Sequence, residues 1–266
     1  MNASVEKLQA RFNEAIEKYN FFDFTFWNDP YDVERFYTAP SKEDAIGSIK
    51  KLCKAGALIT DAGASNIEPV TENERLLDVL NPAEGLYGCL LMTPDPSCEG
   101  DALNTYLDRM TAKGFAAVRY MPKKFYHSLS ETVAGEQLAA FEKRGLPLVI
   151  AHSQTSWDAI DGLCSRHPNL NVVIDGGDTK ILYHNRDYIA QLRKHDNLFI
   201  ETRHLVICGE IEALCNLVGA EKLVFGTYAV YNNPNIPISS IAFANISDEE
   251  KCMIAHGNAM RLLKNK

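Results

Sequence analysis

Long hydrophobic runs are missing from this sequence, and its most apolar stretches, such as Leu146–Ala151, have only the length of a β-strand. No membrane-spanning helix is therefore predicted. The segment Met1–Tyr19 is amphipathic and charged, without the apolar core of a secretion signal, so we expect a cytoplasmic protein. The seven cysteines form no Cys-x-x-Cys pair, which argues against a zinc cluster.

Motifs for nucleotide binding and for a serine nucleophile are also absent. The chain contains no GxGxxG, Walker or GxSxG sequence, so nothing predicts a dinucleotide-binding protein, an NTPase or a serine hydrolase. With 27 basic against 35 acidic residues, the net charge of −8 argues against nucleic acid and, more weakly, against an anionic membrane. The expected partner is a small-molecule substrate or ligand, and self-association into a homo-oligomer is left open.

Short apolar runs that favour β-strands alternate along the chain with longer amphipathic segments. Strands separated by helices imply parallel βαβ units, and eight of them predict a (β/α)8 TIM barrel of the α/β class. We expect one domain over residues 1–266, with an N-terminal helix in 1–20 outside the barrel. A doubly wound open sheet is the alternative. The predicted strands are Phe21–Phe26, Ala57–Asp61, Gly85–Met92, Ala116–Met121, Leu148–His152, Asn171–Asp175, Asn197–Thr202 and Lys222–Gly226.

Two helix starts have the sequence of a capping box, in which a hydroxyl and a carboxylate bond to free backbone amides. These are Thr71 with Glu74, and Ser247 with Glu250. In a barrel of this kind the active site lies at the carboxyl ends of the strands, so the segments that follow the strands are the ones in which to seek chemistry.

The tail of the chain resembles a known family. Residues 223–234 read LVFGTYAVYNNP and residues 246–263 read ISDEEKCMIAHGNAMRLL. They are similar to the closing strand and last helix of the metal-dependent amidohydrolases related to aminocarboxymuconate-semialdehyde decarboxylase. Gly145–Gly177 is similar to the family's fifth and sixth strands, and Phe22–Trp27 lies where the family has an Asp-x-His-x-His strand. The resemblance implies a hydrolase or decarboxylase acting on a small carboxylated or carbonyl compound.

The metal ligands of that family are largely replaced. The two strand-one histidines correspond to Thr25 and Trp27, and the strand-eight aspartate to Tyr228. Gly176 stands where a strand-six histidine would follow Asp175, and strand five offers either an alanine or a histidine (residues 151 and 152), depending on its register. Since one imidazole does not hold a catalytic ion, we expect no metal and no other cofactor.

Three residues are candidates for catalysis because they carry titratable groups at the ends of predicted strands: His152, Asp175 and Glu201. A structural role is the alternative for each. His152 would then be a satisfied histidine at the top of the core, and Glu201 would pair with Arg203 to tie neighbouring strands. We expect His152, Asp175, Glu201 and Arg119 to gather at one end of the barrel around a common cavity.

Seven further residues are candidates for substrate binding. Arg119 is suited to clamping a carboxylate or phosphate with two parallel hydrogen bonds, or else it neutralises Asp175 or Glu201 across the barrel. Aspartates 175 and 178 flank a Gly-Gly turn that would let backbone amides approach a ligand. The substrate-binding candidates are Thr25, Trp27, Arg119, Tyr120, Arg203, His204 and Tyr228.

Aromatic residues at the strand ends (among them tyrosines 31, 126 and 231) would either form a flat apolar slot or fill the vacated metal cavity. We expect the Tyr228 ring to pack towards Trp27 and Thr25 across the seam between strands one and eight, with no cation beside it. Two functions therefore stay open. One is a metal-independent hydrolase or lyase, and the other is a catalytically inactive descendant that binds a small molecule or a protein.

Overall fold

Eight parallel strands follow one another in the sheet in the order of the chain. The computed structural model describes residues 3–28, 41–95, 98–177, 181 and 184–264. The strands are β1 (Phe22–Trp27), β2 (Gly56–Thr60), β3 (Leu86–Leu91), β4 (Phe115–Tyr120), β5 (Leu148–Ala151), β6 (Val172–Asp175), β7 (Leu198–Glu201) and β8 (Leu223–Val224). The helices are α1 (Ala3–Tyr19), α2 (Lys42–Leu52), α3 (Ala62–Asn66), α4 (Pro69–Leu76), α5 (Gly100–Ala112), α6 (Glu131–Arg144), α7 (Trp157–Arg166), α8 (Asn185–Lys194), α9 (Glu210–Val218), α10 (Asn235–Phe243), α11 (Asp248–Cys252) and α12 (Asn258–Lys264).

Hydrogen bonds between the first strand and the end of the last close the sheet into a barrel. The Phe24 N–H donates to the Phe225 carbonyl over 3.0 Å, and the Trp27 N–H donates to the Ala229 carbonyl over 2.6 Å. The predicted (β/α)8 barrel is confirmed, and the alternative of an open sheet is wrong. No helix in the described part of the chain is long and apolar enough to cross a membrane.

The strands alternate between an inner and an outer apolar layer, as the two-residue period of a strand requires. The outer layer packs against the helices. A bulge interrupts the alternation in β1, where Phe24 and Thr25 together lie opposite the single residue Leu58. Phe26 then packs outward and Trp27 is paired with Thr60. The residues that fill the inside of the barrel are Phe22, Phe24, Leu58, Cys89, Ala117, Val149, Val173, Phe199 and Val224.

One of the two predicted capping boxes is confirmed. Ser247 accepts the Glu250 N–H over 3.2 Å, and the Glu250 carboxylate accepts the Ser247 N–H over 2.8 Å. The prediction at Thr71 is wrong, because the cap of α4 lies three residues earlier, at Glu68, and a proline follows it in the first turn. Glu68 caps this helix by accepting the N–H groups of Val70 and Thr71. A proline at the first helical position needs no hydrogen bond, which favours the earlier start.

Helix α10 was not predicted, because its sequence NIPISSIAF is apolar nearly throughout and has no helical periodicity. It lies beside α1 on the outside of the barrel. Helix α1 is also held at its end, where the Tyr19 hydroxyl donates to Asp248 over 2.7 Å and the Tyr19 carbonyl lies 2.9 Å from His256 Nδ1.

Candidate functional site

Arg119 and Asp175 form a fully buried ion pair at the carboxyl ends of β4 and β6. Arg119 donates from Nη1 to Asp175 Oδ2 and from Nε to the Thr60 hydroxyl, the latter over 3.2 Å. The other oxygen of Asp175 accepts the Gly177 N–H over 2.8 Å. Burial alone would raise the pKa of Asp175, but the adjacent guanidinium outweighs burial and holds this pKa below its ordinary value. Asp175 is therefore an ionised partner that fixes Arg119.

The remaining nitrogen of Arg119, Nη2, is buried and has no hydrogen-bond partner. Each edge of a guanidinium that can form two parallel bonds includes Nε or Nη1, and both of these nitrogens are already engaged. The pairing with Asp175 is the alternative that the sequence left open, and it leaves only Nη2 available to a ligand in this arrangement. Trp27 lies beside the guanidinium, with its ring 5.0 Å from Arg119 Cζ, and its indole N–H is also buried without a partner.

Glu201 is a buried carboxyl at the end of β7 with one oxygen free. Its Oε1 accepts the Arg203 N–H over 2.5 Å, whereas Oε2 has no hydrogen-bond partner and lies 3.8 Å from Arg203 Nε. Burial raises the pKa of Glu201 to about 8, opposed by Arg203 and reinforced by the negative charge of Asp175. Near neutral pH this group therefore holds a proton.

Arg203 reaches away from Glu201 with the rest of its side chain. Its Nη2 donates to the Gly177 carbonyl, and its Cζ lies 4.3 Å from the centre of the Tyr228 ring. The Glu201–Arg203 pair is thus a loose contact of 3.8 Å, and Arg203 serves chiefly to hold the turn after β6. Its position also corrects one expectation, since Tyr228 does have a cation beside it.

Tyr228 packs across the seam as predicted. Its ring centre lies 5.7 Å from that of Trp27 in an edge-to-face arrangement, and its N–H donates to the Thr25 hydroxyl over 3.3 Å. Tyr231 completes an aromatic trio, with centres 5.9 Å from Trp27 and 5.4 Å from Tyr228. Thr25 in turn lies beside Gly226, where any Cβ would overlap the Thr25 hydroxyl and the Glu201 side chain. The first, seventh and eighth strands thus meet in one tightly packed group.

Asp23 is a buried carboxyl of this region that sequence reasoning missed. Its Oδ1 accepts the N–H groups of Thr25 over 3.0 Å and of Thr227 over 2.9 Å, and its Oδ2 accepts the Thr227 hydroxyl. Burial raises its pKa to about 6 against these hydrogen bonds. Asp23 therefore fixes the seam between β1 and the end of β8. The available signal was a carboxylate between Phe22 and Phe24, two residues that fill the barrel.

The strand-five register is settled by the pairing of Ala151 with Asp175, which makes Ala151 the last residue of β5. His152 begins the turn that follows, with Nδ1 3.4 Å from the Asp175 carbonyl and its ring 5.3 Å from that of His184. His152 is thus at the same end of the barrel as Arg119 and Glu201. His152 contacts the backbone of β6 and His184, the residue before α8.

His204 lies over the Gly-Gly turn. A Cβ at Gly176 would overlap the His204 ring, so the glycine is required by this close packing, and His204 Nε2 lies 3.3 Å from the Gly177 carbonyl. Burial, with the charge of Arg203, lowers the pKa of His204 to about 4, so the imidazole is neutral at physiological pH. An imidazole from the turn after β7 therefore fills the place that a side chain at Gly176 would occupy.

Tyr120 does not belong to the site, and this prediction is wrong. Its hydroxyl donates to Gln137 on α6, and its ring packs against Phe141 at 5.7 Å. Because side chains alternate along a strand, an inward Arg119 forces Tyr120 outward. Tyr126 is almost entirely exposed and contributes nothing to the aromatic trio. The predicted residues Tyr31 and Asp178 lie outside the described part of the chain.

The side chains at the family's ligand positions do not fit a divalent ion. They are threonine, tryptophan, alanine, glycine and tyrosine at residues 25, 27, 151, 176 and 228, of which indole, methyl and hydrogen supply no donor. Asp175 could ligate a metal, but its oxygen is held by the Arg119 cation, which would repel one. The described residues contain no group of three or more histidine, cysteine, aspartate or glutamate side chains arranged to hold an ion.

The chain forms a closed parallel barrel with polar residues at the carboxyl ends of its strands. It is therefore an α/β-barrel protein. The model of the amidohydrolase family matches residues 50–264, and the chain belongs to this family. No curated protein matches the sequence.

Three solved structures are similar in fold. The chain is 15% identical to 5-carboxyvanillate decarboxylase from Sphingomonas paucimobilis, with a TM-score of 0.58 over 78% of both chains. It is 14% identical to 2,6-dihydroxybenzoate decarboxylase from Rhizobium, with a TM-score of 0.61 over 92% of this chain and 98% of that one. It is 15% identical to dihydroorotase from Campylobacter jejuni, with a TM-score of 0.60 over 93% and 84%. At these identities the likeness shows the fold alone.

Proposed function

We propose that this chain is a metal-independent enzyme of the amidohydrolase family, a hydrolase or lyase that acts on a small compound with a carboxylate or carbonyl group. The observation that carries the proposal is Glu201. It is a buried carboxyl with a free oxygen and a raised pKa, and it lies beside Arg203 at the end of the barrel where such folds have their active sites.

Glu201 is suited to proton transfer. A general acid works best when its pKa lies near the working pH, and burial brings the pKa of Glu201 to about 8. Its Oε1 is held by the Arg203 N–H, which leaves Oε2 as the oxygen that carries the proton. In a lyase this proton would go to the atom that loses its carboxylate. In a hydrolase it would go to the leaving group.

The arginines would supply the charge that binds the substrate and stabilises an oxyanion. Asp175 positions Arg119, so its role is narrower than the acid–base function expected from the sequence. Arg203 faces a Glu201 that is protonated near neutral pH, so this carboxyl does not cancel its charge. Neutral His204 and the wall formed by Trp27 and Tyr228 complete the site in this proposal.

Similar folds carry both reaction types. Two of the similar structures are named as decarboxylases and one as a dihydroorotase, so the fold accommodates lyases and hydrolases alike. For the present chain we leave the choice between them to experiment.

A non-catalytic binding protein is the second candidate. The observation that favours it is the trio of Trp27, Tyr228 and Tyr231, whose rings pack on one another where a catalytic cavity would be expected. Such a protein would bind its ligand without converting it.

The test is turnover by protein treated with a chelator and assayed with a panel of small carboxylic acids, amides and lactones. We expect product formation without added metal and its loss, by roughly 100-fold or more, in Glu201→Gln. The matched control is Glu210→Gln, because Glu210 is also buried but has both oxygens bonded, to Tyr188 and to the Ile207 N–H.

Activity that appears only after zinc or manganese is added would contradict the proposal, as would full activity in Glu201→Gln. Ligand binding with no turnover across the panel would select the binding protein instead.

A further inference from the structure

We propose that Arg119 and Trp27 together form a subsite for one carboxylate group, in which Arg119 Nη2 and the indole Nε1 are the two hydrogen-bond donors. The inference deepens the proposed function, since it names the chemical group that the site binds. It is nevertheless testable as binding alone, without turnover.

The first argument is the state of the two donors. Arg119 and Trp27 are each 2% exposed, and neither Nη2 nor Nε1 has an acceptor. Buried donors in folded proteins nearly always have one, and those that do not call for an explanation such as a missing ligand. A guanidinium and an indole can only donate, so the missing partner has to be an acceptor.

The second argument is that unpartnered buried atoms concentrate here. Among the described residues nine buried side-chain atoms lack a hydrogen-bond partner, and six of them belong to the last two residues of a strand or to the turn that follows it. A defect of packing would be expected to scatter such atoms through the fold. The six atoms are Trp27 Nε1, Arg119 Nη2, Ser153 Oγ, Glu201 Oε2, Thr202 Oγ1 and Arg203 Nε.

The third argument concerns charge and shape. Asp175 already balances Arg119, and Arg203 interacts with the buried carboxyl of Asp23, so the site has no large excess of positive charge. The local charge therefore suits a monoanion better than a dianion. The Arg119 Cζ lies 5.0 Å from the centre of the Trp27 ring, so the two donors belong to adjacent side chains, and in this proposal each binds one oxygen of a small planar anion. A carboxylate has this charge and shape.

We expect a ligand to reach the two donors past the aromatic trio. Tyr228 and Tyr231 lie against Trp27 and are themselves only half-buried. A ligand that reaches Trp27 would therefore displace or slide past these rings, which makes the indole a direct reporter of binding.

The experiment uses acetate and benzoate, with acetamide and benzamide as neutral controls of nearly the same shape. The chain has two tryptophans, so Trp157→Phe leaves Trp27 as the sole indole fluorophore. We expect both carboxylates to change the fluorescence of this variant in a saturable way and the amides to have no effect. Trp157→Phe is also the matched control, because it makes the same substitution on the outer helix α7.

Calorimetry then compares variants of the donors. We expect Trp27→Phe, which keeps an aromatic ring but removes the N–H, to weaken carboxylate binding roughly tenfold. Arg119→Gln combined with Asp175→Asn should abolish it, and this double change removes both charges of the buried pair together.

Unchanged affinity in Trp27→Phe would overturn the proposal, as would amides that bind as tightly as the carboxylates or sulfate that competes equally well. If carboxylate binding depends on both donors, the subsite is supported even when Glu201→Gln leaves turnover unchanged and the proposed function fails. Turnover that depends on Glu201 but is unaffected by Trp27→Phe would reject this subsite and retain the proposed function.

Discussion

Arg119 and Asp175 link β4 to β6 through a buried ion pair that spans the barrel interior across the end of β5. Neither charge has access to water, so each depends on the other for its stability. We expect Arg119→Met to lower the free energy of unfolding by about 3–5 kcal/mol, because it leaves Asp175 ionised and unpaired. Urea denaturation at pH 7 measures the change.

The control for this prediction is the double variant Arg119→Met/Asp175→Asn. Because it removes both charges, most of the lost stability should return. A double variant as unstable as Arg119→Met alone would mean that the packing of Arg119, and not its charge, is what the fold requires.

Glu201 makes stability depend on pH in a defined direction. The folded protein keeps the Glu201 proton up to about pH 8, whereas the unfolded chain loses it near 4.5. Between these pH values the folded state binds one more proton than the unfolded chain. The stability that this group contributes is therefore fully present below about pH 4.5 and is lost as the pH rises through about 8. Glu201→Gln should not show this loss, because an amide does not ionise in this pH range.

We therefore expect Glu201→Gln to gain stability over the natural protein by roughly 2–4 kcal/mol between pH 5 and pH 9, since each pKa unit corresponds to about 1.4 kcal/mol. The measurement is the difference in unfolding free energy between the two proteins at pH 5, 7 and 9. A difference that stays constant with pH would show that Glu201 ionises at its ordinary pKa.

The seam between β1 and β8 depends on Asp23 and Thr227. Thr227→Val keeps the shape of the side chain but removes the hydroxyl that donates to Asp23 Oδ2 and accepts the Ala229 N–H. We expect a loss of about 1–3 kcal/mol in unfolding free energy. Thr111→Val, which removes an exposed hydroxyl bonded to the Asp108 carbonyl of α5, is the matched control and should have little effect. Equal losses in the two variants would contradict a special role for the seam.

The sequence contained enough to predict the barrel, because apolar runs and amphipathic segments alternate eight times. The two-residue alternation of side chains along a strand also determines which residues of β4 can face the site. Since neighbouring strand residues face opposite ways, Arg119 and Tyr120 could not both line the interior, and the alternation alone required a choice between them.

Other features depend on contacts between residues distant in sequence. The bulge in β1 shifts the register beyond Asp23, and the packing of His204 on Gly176 joins two strands. Neither has a local signal. The weakness of the Glu201–Arg203 contact was likewise unpredictable. It arises because the guanidinium binds the Gly177 carbonyl and packs on the Tyr228 ring.

Tyr228 provides the last prediction, which concerns Tyr228→Asp. The new carboxylate would lie near the Arg203 guanidinium, now 4.3 Å from the Tyr228 ring centre, so it would be paired. Tyr228 also has a positive φ of 55°, which aspartate tolerates better than tyrosine. Against these gains stands the loss of the ring that packs on Trp27. We expect a net destabilisation of about 1–3 kcal/mol, measured by denaturant unfolding, and a smaller loss in Tyr228→Phe, which keeps the ring.

Tyr228→Asp should not create a metal site. An ion at the mouth would meet the cations of Arg119 and Arg203, and Thr25 and Trp27 would still stand at the strand-one ligand positions. Titration of the variant with zinc or manganese, followed by calorimetry, should show no tight binding. Stoichiometric metal binding in Tyr228→Asp but not in Tyr228→Phe would contradict this prediction. It would mean that Asp175 can exchange Arg119 for a metal ion as its partner.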